Sequence, residues 1–144
     1  MPPSSVQEPA PEPAPPRRRI LLVEDDPDAA LFFTHVLTRR GGFEVTHTSD
    51  PVVALALAAE QSWDLVLTDL DLPNMSGLEM LAVLRQMVPT LPVVLCTAKP
   101  REAWPTSADG CGPEAILVKP AHADDLLNTL SAVISKGLVW DNGV

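Results

Sequence analysis

Apolar and polar positions fall into short blocks along this chain, and their period changes from block to block. Ile20–Glu24 (ILLVE) is an apolar run ending in acids, the pattern of a strand buried on both faces of a parallel sheet. Asp26-Pro27 follows with an N-cap and a proline at the first helical position. The spacing then predicts a helix with Ala30, Phe33 and Leu37 on one face, stopped by Gly41-Gly42. Phe43–Thr48 reads as a second strand, and Asp50-Pro51 repeats the capping signal for a helix to about Gln61. Asp64–Asp69 (DLVLTD) is the third and clearest strand. Ser76-Gly77-Leu78-Glu79 fits the S-x-x-E capping box and opens a helix through about Val88. Pro92–Thr97 and Ala115–Val118 are strands four and five. From about His122 to Lys136, Leu126, Leu127, Leu130, Val133 and Ile134 stack along one helical face.

Five strands alternating with helices predict an α/β fold with a parallel sheet. One helix is degraded. Pro100, Pro105, Gly110, Gly112 and Pro113 punctuate the stretch between strands four and five. An interior proline costs a helix ~3 kcal/mol, so at most a turn or two is expected around Arg101–Trp104. Residues 1–16 hold seven of the 16 prolines and no Leu, Ile, Phe or Trp. Such a segment buries too little apolar surface to offset its ordering entropy, which predicts a disordered or polyproline-like leader. The expected organisation is a leader over 1–16, one folded domain over 17–136 and a short tail over 137–144.

Composition narrows the function. The chain has 144 residues and a net charge of -9, with its one basic cluster at Arg17–Arg19, which argues against direct DNA binding. No apolar run approaches the ~18 residues of a membrane span, and the start lacks the apolar core of a secretory signal, so a cytoplasmic location is expected. Cys96 and Cys111 show no ligand spacing and are read as reduced thiols. His35, His47 and His122 show none either and are read as ordinary surface or edge residues.

The chemistry gathers at strand ends. In a doubly wound sheet, ligands bind outside the carboxyl ends of the strands, where strand order reverses. Glu24 and Asp25 end strand one, Asp69 ends strand three, Thr97 ends strand four and Lys119 follows strand five. If strands one and three are neighbours, three carboxylates converge, and they stay ionised together only around positive charge. Mg2+, a hard cation that takes one or two carboxylates and keeps several waters, suits them, and Lys119 adds further charge. A carboxylate beside Mg2+, a hydroxyl and a lysine also describes a phosphoryl-acceptor site, with Asp69 as nucleophile. Taken singly, each residue has a plainer reading. Asp25 and Asp26 could cap the first helix, Asp69 could be a loop acid, Thr97 a β-branched strand residue and Lys119 a solvated lysine. Their joint occurrence on the right strand ends favours the site.

From about Arg18 to Lys136 the chain resembles the receiver domain of two-component response regulators. The motifs that carry the likeness are ILLVEDD (Ile20–Asp26), DLVLTDLDLPNMSGLEML (Asp64–Leu81), PVVLCTA (Pro92–Ala98) and ILVKP (Ile116–Pro120). The resemblance implies a CheY-like sheet in order 2-1-3-4-5 with helices on both faces. It implies Asp69 as phosphoacceptor, Glu24 and Asp25 as the acidic metal pair, and Asp71 as donor of a backbone carbonyl to the metal. Thr97 and Lys119 match the switch hydroxyl and the phosphate-binding lysine, and Lys119–Pro120 matches a bond that is typically cis. Asp71 and Lys99 stand where the family flanks the path of attacking water, which makes them candidates for setting phosphate lifetime. The implied donor is a histidine kinase or phosphotransfer protein.

Two features depart from the family pattern. Ile116 stands where a Tyr or Phe switch residue is common, and the fourth helix is broken. The expected relay is therefore a shift or ordering of Lys99–Pro113. No effector domain is visible, so a stand-alone regulator acting through protein–protein contacts is expected, on an unknown downstream target. Two rivals remain open. A pseudo-receiver would bind partners without taking up phosphate. A haloacid-dehalogenase-like phosphatase would share Asp69-Leu70-Asp71 as a DxD motif, but Asp69 lies nearly mid-chain with Pro73 close behind and no room for a cap domain.

Overall fold

The three central strands are short and almost wholly apolar because helices cover both of their faces, whereas the edge strand over Glu44–Thr48 is polar and partly exposed. The computed structural model describes residues 17–100 and 112–141, with 136–141 described by their backbone alone. The expected leader, the expected turn around Arg101–Trp104 and Cys111 lie outside the described residues. The strands are β1 (Arg19–Val23), β2 (Glu44–Thr48), β3 (Leu65–Asp69), β4 (Val93–Thr97) and β5 (Ala115–Val118). They pair in parallel in the order β2-β1-β3-β4-β5, so the sheet has the doubly wound topology expected from the sequence. Among the described residues four helices accompany it: α1 (Pro27–His35), α2 (Pro51–Glu60), α3 (Gly77–Met87) and α4 (Ala123–Asp141). None is long and apolar enough to cross a membrane.

Strand alternation divides the interior into two cores. Ile20, Leu22, Leu65, Leu67, Val94 and Leu117 meet Phe33 of α1 and Leu126, Leu130, Val133 and Ile134 of α4. Leu21, Val23, Val66, Val93 and Leu95 meet Ala54 and Ala58 of α2 and Met80, Leu81 and Leu84 of α3. All three capping signals read from the sequence form. Asp26 accepts from the Asp28 N–H, Asp50 from the Val52 N–H, and Ser76 and Glu79 make the reciprocal capping box. Each cap places a helix start just beyond a strand end, at the sheet edge where the charged residues collect.

Two helices differ from expectation. The first widens into one π-helical turn over Val36–Arg40 before Gly41. Within it, the Thr38 hydroxyl donates to the Thr34 carbonyl at 2.7 Å, a side-chain bond that competes with the regular ladder. The widened turn buries Val36 and Leu37 together, and Gly42, at φ +70°, then reverses the chain. The last helix runs to Asp141 rather than about Lys136. Gly137 does not stop it, since an interior glycine costs a helix only ~1 kcal/mol unless it turns left-handed.

One contact joins the fold to the strand ends. The Gly77 N–H donates to the Leu70 carbonyl at 2.7 Å. A Cβ at Gly77 would run into the Asp69 carbonyl oxygen and lie 3.0 Å from Leu70 Cα. Both obstacles are backbone and cannot swing away. Gly77→Ala is expected to lower stability by about 1–3 kcal/mol, the usual scale for overpacking, measured by urea denaturation. An unchanged midpoint would mean that α3 is free to back away from β3.

Candidate functional site

β1 and β3 are neighbours, so their carboxyl ends bring Glu24, Asp25 and Asp69 together. One carboxylate oxygen from each lies within 4.8 Å of the others. Asp25 is exposed, whereas Glu24 is 1% and Asp69 8% exposed. Burying two carboxylates side by side is unfavourable unless each is paired and hydrogen-bonded. Lys119 supplies the pairing. Its ammonium donates to Glu24 Oε1 at 2.8 Å and to Asp69 Oδ2 at 2.9 Å. The Asp26 N–H reaches Glu24 Oε2 at 3.2 Å and the Asp71 N–H reaches Asp69 Oδ1 at 3.1 Å. Part of the positive charge that the acids require thus comes from the protein itself.

Thr97, fully buried, ends β4 one step beyond Cys96, the residue opposite Asp69. Its hydroxyl accepts the Lys99 N–H at 3.0 Å, and its carbonyl accepts the Lys119 N–H at 2.7 Å. The Lys119–Pro120 peptide bond is cis. Lys99 and Asp71 form an ion pair at 3.2 Å across the mouth of the site. Glu24, Asp25, Asp69, Asp71, Thr97, Lys99 and Lys119 are accordingly found at one end of the sheet. A histidine joins them at the end of β1. His47 Nε2 lies 2.8 Å from the Glu24 carbonyl, and no motif or spacing announces it; only the β1–β2 register puts it in reach.

The site is electrostatically coupled. Burial raises the Glu24 carboxyl above its ordinary pKa, against the pull of Lys119 and of the Asp26 N–H, and the charge of Asp69 adds to the rise. Burial alone would lower the Lys119 ammonium, but its bonds to Glu24 and Asp69 prevail and the net shift is upward. The Cys96 thiol is pushed up to about 12, chiefly by burial, and stays neutral and unreactive. The donors offered to a cation are all carboxylate oxygens, a hard set suited to Mg2+ and unsuited to soft metals. Beside the site, an apolar groove of about 660 Å³ runs between α1 and the start of α4, lined by Phe32, Phe33, Ala98, Lys119 and Pro120.

Comparison with known proteins agrees with this geometry. The family model described as response regulator receiver domain matches residues 20–131. Response regulator receiver protein CpdR of Brucella abortus is 31% identical over 117 residues, covering 81% of this chain and 97% of that protein. Response regulator ArlR of Staphylococcus epidermidis is 33% identical over 117 residues, covering 81% of this chain and 52% of that protein. Several of the relatives are similarly about twice as long as the matched region. Among solved structures, the receiver domain of a sensor histidine kinase from Pseudomonas aeruginosa PAO1 has a magnesium ion coordinated in its active-site cleft. It superposes with a TM-score of 0.76 at 27% identity, over 83% of this chain and 99% of that one.

The charge balance at Lys119 can be tested without any ligand. Glu24 binds its proton more tightly in the folded chain than in the unfolded one, so this group's contribution to stability is lost as pH rises through its folded pKa. Removing Lys119 enlarges that effect. In metal-free buffer Lys119→Met is expected to lose about 2–4 kcal/mol at pH 7, and the gap from the parent chain should narrow at lower pH as Glu24 takes up a proton. Urea titrations at pH 7 and at lower pH measure it. A gap of equal size at both would remove Lys119 as the neutralising group.

Proposed function

The chain belongs to the response regulator receiver domain family of two-component systems, and from that premise we propose that it takes a phosphoryl group onto Asp69 in a Mg2+-dependent reaction. The donor is the phosphohistidine of a histidine kinase or phosphotransfer protein. The observation that carries this reading is the Asp69 carboxylate, nearly buried at a strand end, bonded to Lys119 and grouped with Glu24 and Asp25. A carboxylate oxygen of Asp69 attacks phosphorus, the phosphorus–nitrogen bond breaks, and the imidazole nitrogen leaves with the electron pair. The product is an acyl phosphate.

Glu24, Asp25, Asp69 and the backbone carbonyl of Asp71 would hold Mg2+, whose chemistry is to neutralise charge on the phosphoryl oxygens. Lys119 is poised to turn from Asp69 to a phosphoryl oxygen without leaving Glu24. The Thr97 hydroxyl, at the end of the adjacent strand, can bind another. Since that hydroxyl also accepts the Lys99 N–H, its reorientation would release the start of the segment that follows β4. This gives phosphorylation a route into Lys99–Pro113 that needs no aromatic switch at Ile116. The groove along Phe32 and Pro120 adjoins Lys119 and offers apolar surface to the donor protein. Output is expected through protein–protein contacts in the cytoplasm. CpdR, matched over nearly its whole length, is itself a receiver protein. A phosphorylation-independent pseudo-receiver is the second reading, favoured by Ile116, which packs as an ordinary aliphatic residue against the α2–α3 core.

Acetyl phosphate with Mg2+ separates the two. Mass spectrometry is expected to record one added phosphoryl group, lost in Asp69→Asn and without Mg2+; an unlabelled parent chain would leave the pseudo-receiver. Asp71 and Lys99 are proposed to set the lifetime of the acyl phosphate. Their pair is half-exposed, a kind worth ~0.2–1 kcal/mol, so Asp71→Asn should change the dephosphorylation rate by about two- to fivefold. An unaltered decay curve would exclude that role.

A further inference from the structure

β1 and β2 run parallel with Leu22 opposite His47 and Val23 opposite Thr48. The ladder continues one step past β1, where the Glu24 N–H donates to the Thr48 carbonyl at 3.1 Å. In a parallel ladder, a residue that donates to one carbonyl returns its own carbonyl to the N–H two residues further along the partner strand. That donor would be Asp50. It is engaged elsewhere: the Asp50 N–H donates to the Thr48 hydroxyl at 3.2 Å, and Asp50 itself caps α2. The Glu24 carbonyl meets the His47 imidazole instead, with Nε2 at 2.8 Å. A carbonyl oxygen only accepts, so Nε2 carries the hydrogen.

The consequence lies in which peptide is held. The Glu24 carbonyl belongs to the peptide that joins Glu24 to Asp25, so its orientation fixes where both side chains leave the main chain. Glu24 is anchored by its own bonds to Lys119 and to the Asp26 N–H. Asp25 is exposed at the rim, and the direction of this peptide decides whether its carboxylate stays with those of Glu24 and Asp69. We infer that His47 is a positioning residue for the acidic pocket, its imidazole replacing the last ladder bond of β1–β2 and holding the Glu24–Asp25 peptide in the orientation that groups the three carboxylates. For its metal-binding readout the inference rests on the Mg2+ reading above; its main-chain readout does not.

The test uses the full chain with His47→Phe, which removes the donor, and His47→Gln, whose amide nitrogen can reach the same carbonyl. In metal-free buffer, amide exchange at Asp25 and Asp26, followed by NMR, is expected to quicken in His47→Phe and to return toward the parent rate in His47→Gln. Mg2+ affinity by calorimetry should fall about five- to tenfold in His47→Phe, the scale of one lost hydrogen bond, and recover in His47→Gln. If His47→Phe does not fold, His47→Asn, polar but too short to reach, takes its place. Equal exchange and equal affinity in the parent and the donor-less variant would overturn the inference, as would a Gln variant no better than Phe. A parent chain that binds no Mg2+ would sink the metal reading alone, because the exchange rates still decide the role of His47.

Discussion

The Lys119 ammonium between Glu24 and Asp69 is the contact on which the arrangement of this end of the sheet depends. Two carboxylates pressed together out of water would otherwise repel, and one would take up a proton or turn outward. Lys119 reaches them because its own backbone is fixed: its N–H bonds the Thr97 carbonyl, which makes the exit of β5 an extension of the β4 edge. The lysine therefore ties together the ends of β1, β3, β4 and β5. The apolar cores on either face hold those strands in register but cannot choose what stands at their ends. That choice is electrostatic.

The helices contribute by where they begin. α1 starts at Asp26, whose N–H also bonds the buried Glu24, so one residue both caps the helix and holds the acid behind it. α3 starts at Gly77, where lack of a side chain lets the helix close on Asp69 and Leu70. The loop between β3 and α3 is drawn tight by the bond from the Gly77 N–H to the Leu70 carbonyl, and Asp71 is held inside that loop with its N–H on Asp69. Local capping chemistry and the geometry of the pocket are thus one set of constraints.

Much of this is legible in the residues because it is local. Strands buried on both faces have to be apolar runs, helix starts announce themselves by Asp-Pro and by the capping box, and acids at strand ends are conspicuous after such runs. The parallel order of the sheet follows from βα alternation together with the family likeness. What is not legible arises from register and competition between bonds. His47 looks like an edge histidine, and its bond to Glu24 exists only because Asp50 is committed to Thr48 and to its cap. The π-helical turn has a similar origin, in a threonine hydroxyl competing with the backbone. α4 extends through Gly137 to Asp141 because a glycine in helical backbone does not by itself end a helix.

The same contacts suggest why this pocket suits a switch better than a turnover site. Lys119, Thr97 and the Asp71 N–H are each already engaged, by Glu24 and Asp69, by the Lys99 N–H, and by Asp69. A phosphoryl group on Asp69 would bring three oxygens needing donors: Lys119 and the Asp71 N–H would share or give up bonds they now make, whereas the Thr97 hydroxyl would offer its O–H. For Lys119 the exchange is internal to the pocket, since Glu24 keeps hold of it. For Thr97 it reaches further, because the oxygen that would turn toward the phosphoryl group also accepts the Lys99 N–H at the start of the chain beyond β4. A buried hydrogen-bonded polar network responds to one added charge as a whole, and here the Thr97 hydroxyl connects it to Lys99, just beyond β4. On the proposed phosphorylation, the hydroxyl at the end of β4 would carry the change outward with Ile116 in place of an aromatic side chain.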